Sequence, residues 1–552
     1  MNLVFPHLIV VPIVLPLLAT ALLLLLGEKR RRLRSVVNVL ATFAGLVVAI
    51  ALLRRADGGG GPGEIGVYLA SNWQAPFGIV LVADRLSTLM LALVGVVSFC
   101  AALYAEAAWA RAGVYFHPLF QIQLMGLNGA FLTADLFNLF VFFEVMLAAS
   151  YGLQLHASGS TRVRSGLHYI AVNLLASALF LVGLAVLYGV VGTLSMPDIA
   201  AKIALVPARD RGLLHAGAAI LAVAFLIKAA IWPLNAWLVP AYTAASAPVA
   251  ALFAVMTKVG IYALLRLSTL LFSADTSAST QFGGPILLYG GLATIAFGAL
   301  GLTASLSLGR IAAFSIIVSS GTLLAALGVG VPALTAAALY YMLSATLAVS
   351  ALFLMVELIG RIGTHGRPKL RDVDFVPGED TNLDDEEVPL VGRAFPISLA
   401  LLGLAFMACT LLVAGLPPLS GFIAKLSLLR ALLDPGGGGE LTSAGVSSES
   451  WSFFALLLLA GLATTVALSR AGIRHFWATG RQTAPRLKAV EALAVVMLLL
   501  ACFVLTAGAE PVLRYTRATA SGLHAPQGYL ESVLSAKARP GPSQLPLEQT
   551  SP

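Results

Sequence analysis

Two lysines stand inside apolar runs of the stretch Phe225 to Arg266, FLIKAAIWPLNAWLVPAYTAASAPVAALFAVMTKVGIYALLR, and a proline-bearing segment separates them. An amine at the centre of a bilayer costs roughly 2.5–3.5 kcal/mol on insertion scales, so Lys228 and Lys258 are kept there for a task. Lys258 shares a helical face with Ala251, Ala254, Val255 and Tyr262, and small residues of this kind let a neighbouring helix approach closely. Glu144 lies near the middle of a third run, FNLFVFFEVML, with Phe140 and Ala148 four residues to either side. No positive group on its own helix neutralises it, so it needs a partner from another helix or a proton. A third lysine, Lys425, follows the double proline of the segment Leu416-Pro417-Pro418-Leu419-Ser420-Gly421 by about two turns.

The chemistry these residue types suggest is proton transfer. Burial disfavours the charged form of a lysine by up to 3–5 pKa units, which brings an amine from about 10.4 to where it both takes up and releases a proton near neutral pH. A nearby carboxylate pulls the other way: Glu144 close to Lys228 favours the charged amine, and weakening the pair releases the proton. An inert ion pair that merely fixes register competes with this reading, but buried pairs are often a net cost in stability. Amines in series, bridged by water and by Ser246, Thr257, Ser315, Ser319, Ser320 and Ser344, form a lateral wire. The membrane potential supplies about 2.3 kcal/mol per charge per 100 mV to drive it. His215 is a further titrating candidate; like His156 and His168 it lies close to a predicted helix boundary. Asp84 and Asp135 read as boundary or capping residues, and Arg266 and Glu357, toward helix ends, as packing or subunit-contact residues. No acidic cluster in mid-membrane suggests a cation cage, so no metal site is expected.

Elements must exist to hold these groups in hydrocarbon. Of 552 residues, 59% are hydrophobic and only 11% charged, against roughly 25% charged in an average soluble domain, so this is an integral membrane protein. The net charge of +8 resides mostly in short loops, which is the positive-inside pattern and argues against nucleic acid. Cys100, Cys409 and Cys502 lie singly in apolar segments, without the spacing of a disulfide framework, zinc site or iron–sulfur cluster.

Runs long enough to cross about 30 Å of hydrocarbon predict fourteen spans, near 5–27, 35–54, 79–105, 114–133, 135–156, 164–191, 213–232, 246–272, 283–308, 310–330, 332–361, 394–432, 451–478 and 486–508. The first is followed by a basic cluster, Lys29 to Arg34, unlike a cleaved signal peptide, so both termini are expected on the outer, periplasmic side of a bacterial inner membrane. Spans seven and twelve are interrupted at Trp232-Pro233-Leu234-Asn235 and at the double proline. Paired broken helices point to the ion path of an inverted-repeat transporter. The chain therefore divides into spans one to three (1–113), a first five-helix repeat of spans four to eight (114–272) and a second of spans nine to thirteen (283–478), inverted because five is odd. The second repeat carries a hydrophilic cytoplasmic loop, 362–393; span fourteen (486–508) and a flexible tail (510–552) complete the all-α polytopic chain.

The strings FFEVMLAASYGLQLHASG, FLIKAAIWPLNAWL, APVAALFAVMTKVGIYALLR and LPPLSGFIAKLSLL resemble the antiporter-like subunits shared by respiratory complex I and the multisubunit Mrp (Pha, Mnh) monovalent cation/proton antiporters. Within that family the pattern is most similar to the D-type chain: Tyr242 stands where complex I relatives usually carry histidine, and TKVGIYALLR around Lys258 is characteristic. The resemblance implies that Glu144, Lys228, Lys258 and Lys425 are the proton-path residues; Ser246, Thr257, Ser319, Ser344 and His215 are secondary relay candidates from their residue types and positions alone. It also implies partner subunits of the A, B, C, E, F and G types, exchange of Na+ or K+ for protons, and neither a cofactor nor an enzyme activity. The alternative it leaves open is a proton-pumping module of a complex I-type oxidoreductase or membrane-bound hydrogenase. In one place the chain departs from many relatives: YYMLSATLAVS, residues 340–350, carries neither the histidine nor the lysine usual in span eleven.

Overall fold

A computed structural model describes residues 4–27, 29–58, 64–109, 113–273, 279–362, 396–434, 447–477 and 487–538. Helices α1 (Val4–Leu25) and α2 (Arg31–Asp57) come first, followed by a hairpin of β1 (Gly66–Leu69) and β2 (Val80–Ala83). Then come α3 (Arg85–Ala107), α4 (Phe116–Leu132), α5 (Leu136–Gln154), α6 (Ser160–Val191), the short α7 (Met196–Ile203), α8 (Arg211–Ala229), the short α9 (Leu238–Ala244) and α10 (Ala247–Leu271). The remainder is α11 (Gly284–Ala304), α12 (Leu308–Val329), α13 (Pro332–Gly360), α14 (Ile397–Ala414), α15 (Ser420–Leu433), α16 (Ser448–Gly472), α17 (Ala489–Ala507), α18 (Ala509–His524) and α19 (Gln527–Leu534).

Thirteen helices among the described residues are long and apolar enough to cross a membrane. The expected span that falls short of that length is α4, at 17 residues, the lower end of what a bilayer accepts. Local chemistry sets the ends. Asp84 accepts from Ser87 N in a capping box at the start of α3, Asp135 accepts from Asn138 N at the start of α5, and Ser307 caps α12, satisfying donors that a helix start leaves free. Prolines occupy the first turn of α10, α11 and α13, where the missing N–H costs nothing.

Burial sorts the helices into a centre and a periphery. The spanning window of α10 is wholly buried, with α12 and α13 at 89% and 83%, while that of α2 is 22% buried and that of α17 28%. Lys258 therefore sits on the most enclosed of these helices. Gly260, two residues on, brings α10 against α8: a Cβ there would lie 2.6 Å from the Phe225 carbonyl oxygen and 2.9 Å from Ala229 N.

Two sequence expectations are corrected. The third span does not begin at 79, because Val80-Leu81-Val82-Ala83 pairs antiparallel with residues 66–69, Val82 opposite Val67, and Asp84 starts the helix only after that strand. The tail expected to be flexible from 510 is helical through α18 and α19, and Tyr515, Thr519 and Leu523, at i, i+4 and i+8, are buried with Tyr529 and Val533. Its Ala, Ser and Arg content hid that stripe. Span twelve is broken where the double proline predicts, into α14 and α15. The loop expected at 362–393 lies almost entirely outside the described residues.

Candidate functional site: a row of buried amines

Lys228 occupies the last turn of α8, and the helix stops two residues later because Ala230 takes a left-handed conformation, φ 59°. Its side chain is fully buried. The amine donates to Asn173 Oδ1 at 3.2 Å and Tyr169 Oη at 3.4 Å, both on α6. It lies 5.5 Å from the Tyr169 ring centroid and 5.8 Å from those of Phe143 and Trp237. Neutral acceptors and ring faces thus surround the ammonium, an arrangement that holds a cation without fixing it as a full ion pair would. The break keeps its backbone satisfied: the Trp237 indole donates to the Ile227 carbonyl at 3.1 Å.

Glu144 sits midway along α5 and accepts a hydrogen bond from the Ser177 hydroxyl of α6. Among the described residues it forms no ion pair. The direct Glu144–Lys228 pair considered from sequence is therefore absent. Both groups instead hang on α6, whose Tyr169, Asn173 and Ser177 recur every four residues along one face. Tyr169 also exchanges a 2.8 Å hydrogen bond with Ser150 of α5.

Lys258 is 1% exposed and donates to Ser319 Oγ of α12 at 3.0 Å. Lys425, half-buried on α15, donates to the carbonyl of Ala414 at 2.6 Å, the last residue of α14 before the second break. Gly415 closes that break at φ 76°, and a Cβ on it would stand 2.5 Å from Lys425 Cδ. Gly415→Ala therefore meets a backbone penalty of about 1–2 kcal/mol and displaces the lysine. The expected result is a complex that assembles but exchanges about tenfold more slowly, about 1.4 kcal/mol in barrier, measured as rate per assembled complex.

Between Lys258's partner and Lys425 lies a cavity of about 20 Å³, lined by Ser315, Ser319, Tyr341, Ser344, Lys425 and Thr464. Ser344 also bonds Ser420, hydroxyl to hydroxyl, at 2.9 Å.

Residues 133–439 match the family described as NADH:quinone oxidoreductase/Mrp antiporter, TM. The chain belongs to this family. All four charged residues of the row fall within the matched segment. Over 535 residues the chain is 51% identical to a probable K(+)/H(+) antiporter chain of D type from Rhizobium meliloti (strain 1021), covering 96% of this chain and 98% of that one. It is 34% identical to the D-type chain of a Na(+)/H(+) antiporter of Alkalihalophilus pseudofirmus, covering 96% and 99%. The fold matches a chain in the structure of the Mrp complex from Dietzia sp. DQ12-45-1b, with TM-score 0.78, 26% identity, and 97% and 100% of the two chains covered. The resemblance carried by the motif strings is thus matched along nearly the whole length.

The other sequence candidates fall around this antiporter-family row in distinct ways. Thr257 bonds the carbonyl of Ala254 on its own helix at 3.1 Å. Ser246 immediately precedes α10 without capping it, buried, with no partner for its hydroxyl among the described residues. His215 bonds Ser279 at 3.0 Å and stacks on Phe282 at 4.3 Å; it precedes Lys228 by thirteen residues on α8, about 20 Å along the axis, and so stands apart from the amines. Asp84 and Arg266 form a buried two-pronged pair at 2.7 and 2.8 Å beneath the Tyr529 ring. At the opposite end of the helices, Arg361 joins Glu357 at 2.7 Å to the fully buried Glu491 at 2.8 Å.

Tyr169, Asn173, Ser177 and Tyr341 escaped sequence reasoning. The four-residue spacing on α6 was a readable signal, a polar stripe on an apolar span; Tyr341, in an aromatic pair, gave none.

Proposed function

We propose that this chain is the D-type, proton-translocating subunit of a multisubunit monovalent cation/proton antiporter, working with chains of the A, B, C, E, F and G types. Protons move along Glu144, Lys228, Lys258 and Lys425 in the plane of the membrane, with Ser319 and Ser344 between the last two. The observation that carries this reading is that the three membrane lysines are held by hydroxyls, an amide oxygen, ring faces and a carbonyl, and, among the described residues, none by a carboxylate. A lysine locked to a carboxylate keeps its proton; one held by neutral acceptors gives it up at much smaller cost. Names and length of the relatives favour an antiporter over the oxidoreductase module. In this reading both termini face the periplasm. Units 114–272 and 283–478 are inverted copies, each broken after a left-handed residue, Ala230 and Gly415.

Everted vesicles containing the complete complex test it, by the proton movement that added K+ or Na+ elicits. Identity to the K(+)/H(+)-named relative makes K+ the first cation to assay. Glu144→Gln, Lys228→Ala and Lys425→Ala are each expected to abolish exchange while the complex still assembles; wild-type rates in assembled variants would refute the roles assigned.

A further inference from the structure

The row has a gap. Lys258 reaches α12 and Lys425 reaches the end of α14, and the helix between them, α13, offers no ionisable amine or imidazole in residues 340–350. What it offers is Tyr341 and Ser344, three residues apart on one face and both turned into the cavity. The Tyr341 ring is 6% exposed, and its hydroxyl faces those of Ser319 and Thr322. The volume of about 20 Å³ exceeds the roughly 10–15 Å³ that one water needs, and hydroxyls on several sides provide the two to four polar partners that hold it.

Resting on the lysine relay proposed above, we propose that Tyr341 carries the proton across α13, through Ser319 on one side and a single trapped water on the other. In the forward step the N–H bond of the Lys258 ammonium breaks and its proton passes to Ser319 Oγ. Ser319's own proton goes to Tyr341 Oη, Tyr341's to the water, and one of the water's to the lone pair of Lys425 Nζ, where a new N–H bond forms. Lys258 ends neutral and Lys425 charged. Each hydroxyl and the water end neutral with orientation reversed, and must rotate before the next proton. Ser344, tied to Ser420 at the start of α15, positions the water rather than passing the proton.

Tyr341→Phe removes one oxygen and leaves the ring packing intact. In the complete complex, in everted vesicles, exchange per assembled complex is expected to fall at least tenfold, with a changed solvent deuterium effect and a shifted pH profile, which a merely structural role would not produce. Ala345→Leu, which fills the cavity without touching a hydroxyl, is expected to act in the same direction, and Ser344→His, placing a titratable ring at the gap, to restore part of the rate to Tyr341→Phe. Wild-type rate and isotope effect in Tyr341→Phe would overturn the inference, as would a wild-type rate in Ala345→Leu should the first variant fail to assemble. Inactive Lys258 and Lys425 variants alongside an active Tyr341→Phe would sink this step alone; active lysine variants would sink the relay itself.

Discussion

Lys258→Met is expected to stop proton-coupled exchange while leaving the assembled complex as stable as the wild type or more so. The side chain is 1% exposed on the fully enclosed α10, and the partner of its amine is a neutral serine. Its charged form therefore bears most of the desolvation cost of burial, several kcal/mol in real proteins. Methionine has nearly the same length and fills the space without that cost, so the thermal unfolding midpoint of the purified complex should hold or rise. Exchange should fall ~100-fold or more, about 2.7 kcal/mol of added barrier, because among the described residues no other amine stands between Lys228 on α8 and the gap at α13. Gain in stability with loss of transport separates a functional charge from a structural one. A variant that lost both would instead make Lys258 a packing residue.

Asp84→Ala predicts the reverse pattern. Asp84 and Arg266 pair through two short bonds with side chains 12% and 7% exposed, and Asp84 also caps α3. Removing the carboxylate leaves a buried guanidinium without its counter-charge, at a cost of about 3–5 kcal/mol, with about 1 kcal/mol more for the cap. Assembly yield and thermal midpoint should drop sharply. Exchange per surviving complex should stay near wild type, since Arg266 lies two turns beyond Lys258, about 12 Å along α10. Replacing both partners, Asp84→Leu with Arg266→Met, should recover much of the lost stability, because no unpaired charge then remains.

The contrast between these two sites explains what could be read from sequence. Spans are legible because hydrocarbon demands about twenty apolar residues in a row, and Glu144, Lys228, Lys258 and Lys425 are legible because charge stands out against such runs. Breaks at Pro233 and Pro417-Pro418 are legible from the missing backbone donor. Which groups meet is another matter. The placing of Glu144 and Lys228 invited an ion pair, yet α6 turns its Tyr169, Asn173 and Ser177 toward both; the spacing of that polar stripe was readable, but which charged groups it serves depends on contacts between distant helices. The strand at 80–83 was absorbed into a span because four apolar residues fit either structure, and α18 was passed over because its buried stripe is carried by Tyr, Thr and Leu within a polar composition. Asp84 and Asp135 were readable as caps; that Asp84 also neutralises Arg266, 182 residues away, was not.

The most direct test of the central claim is proton movement in everted vesicles on addition of K+ or Na+, with the complete complex carrying Lys228→Ala and quantified for assembly. The account predicts no cation-elicited proton movement above that of vesicles lacking the complex. Wild-type proton movement through the assembled Lys228→Ala complex would contradict it.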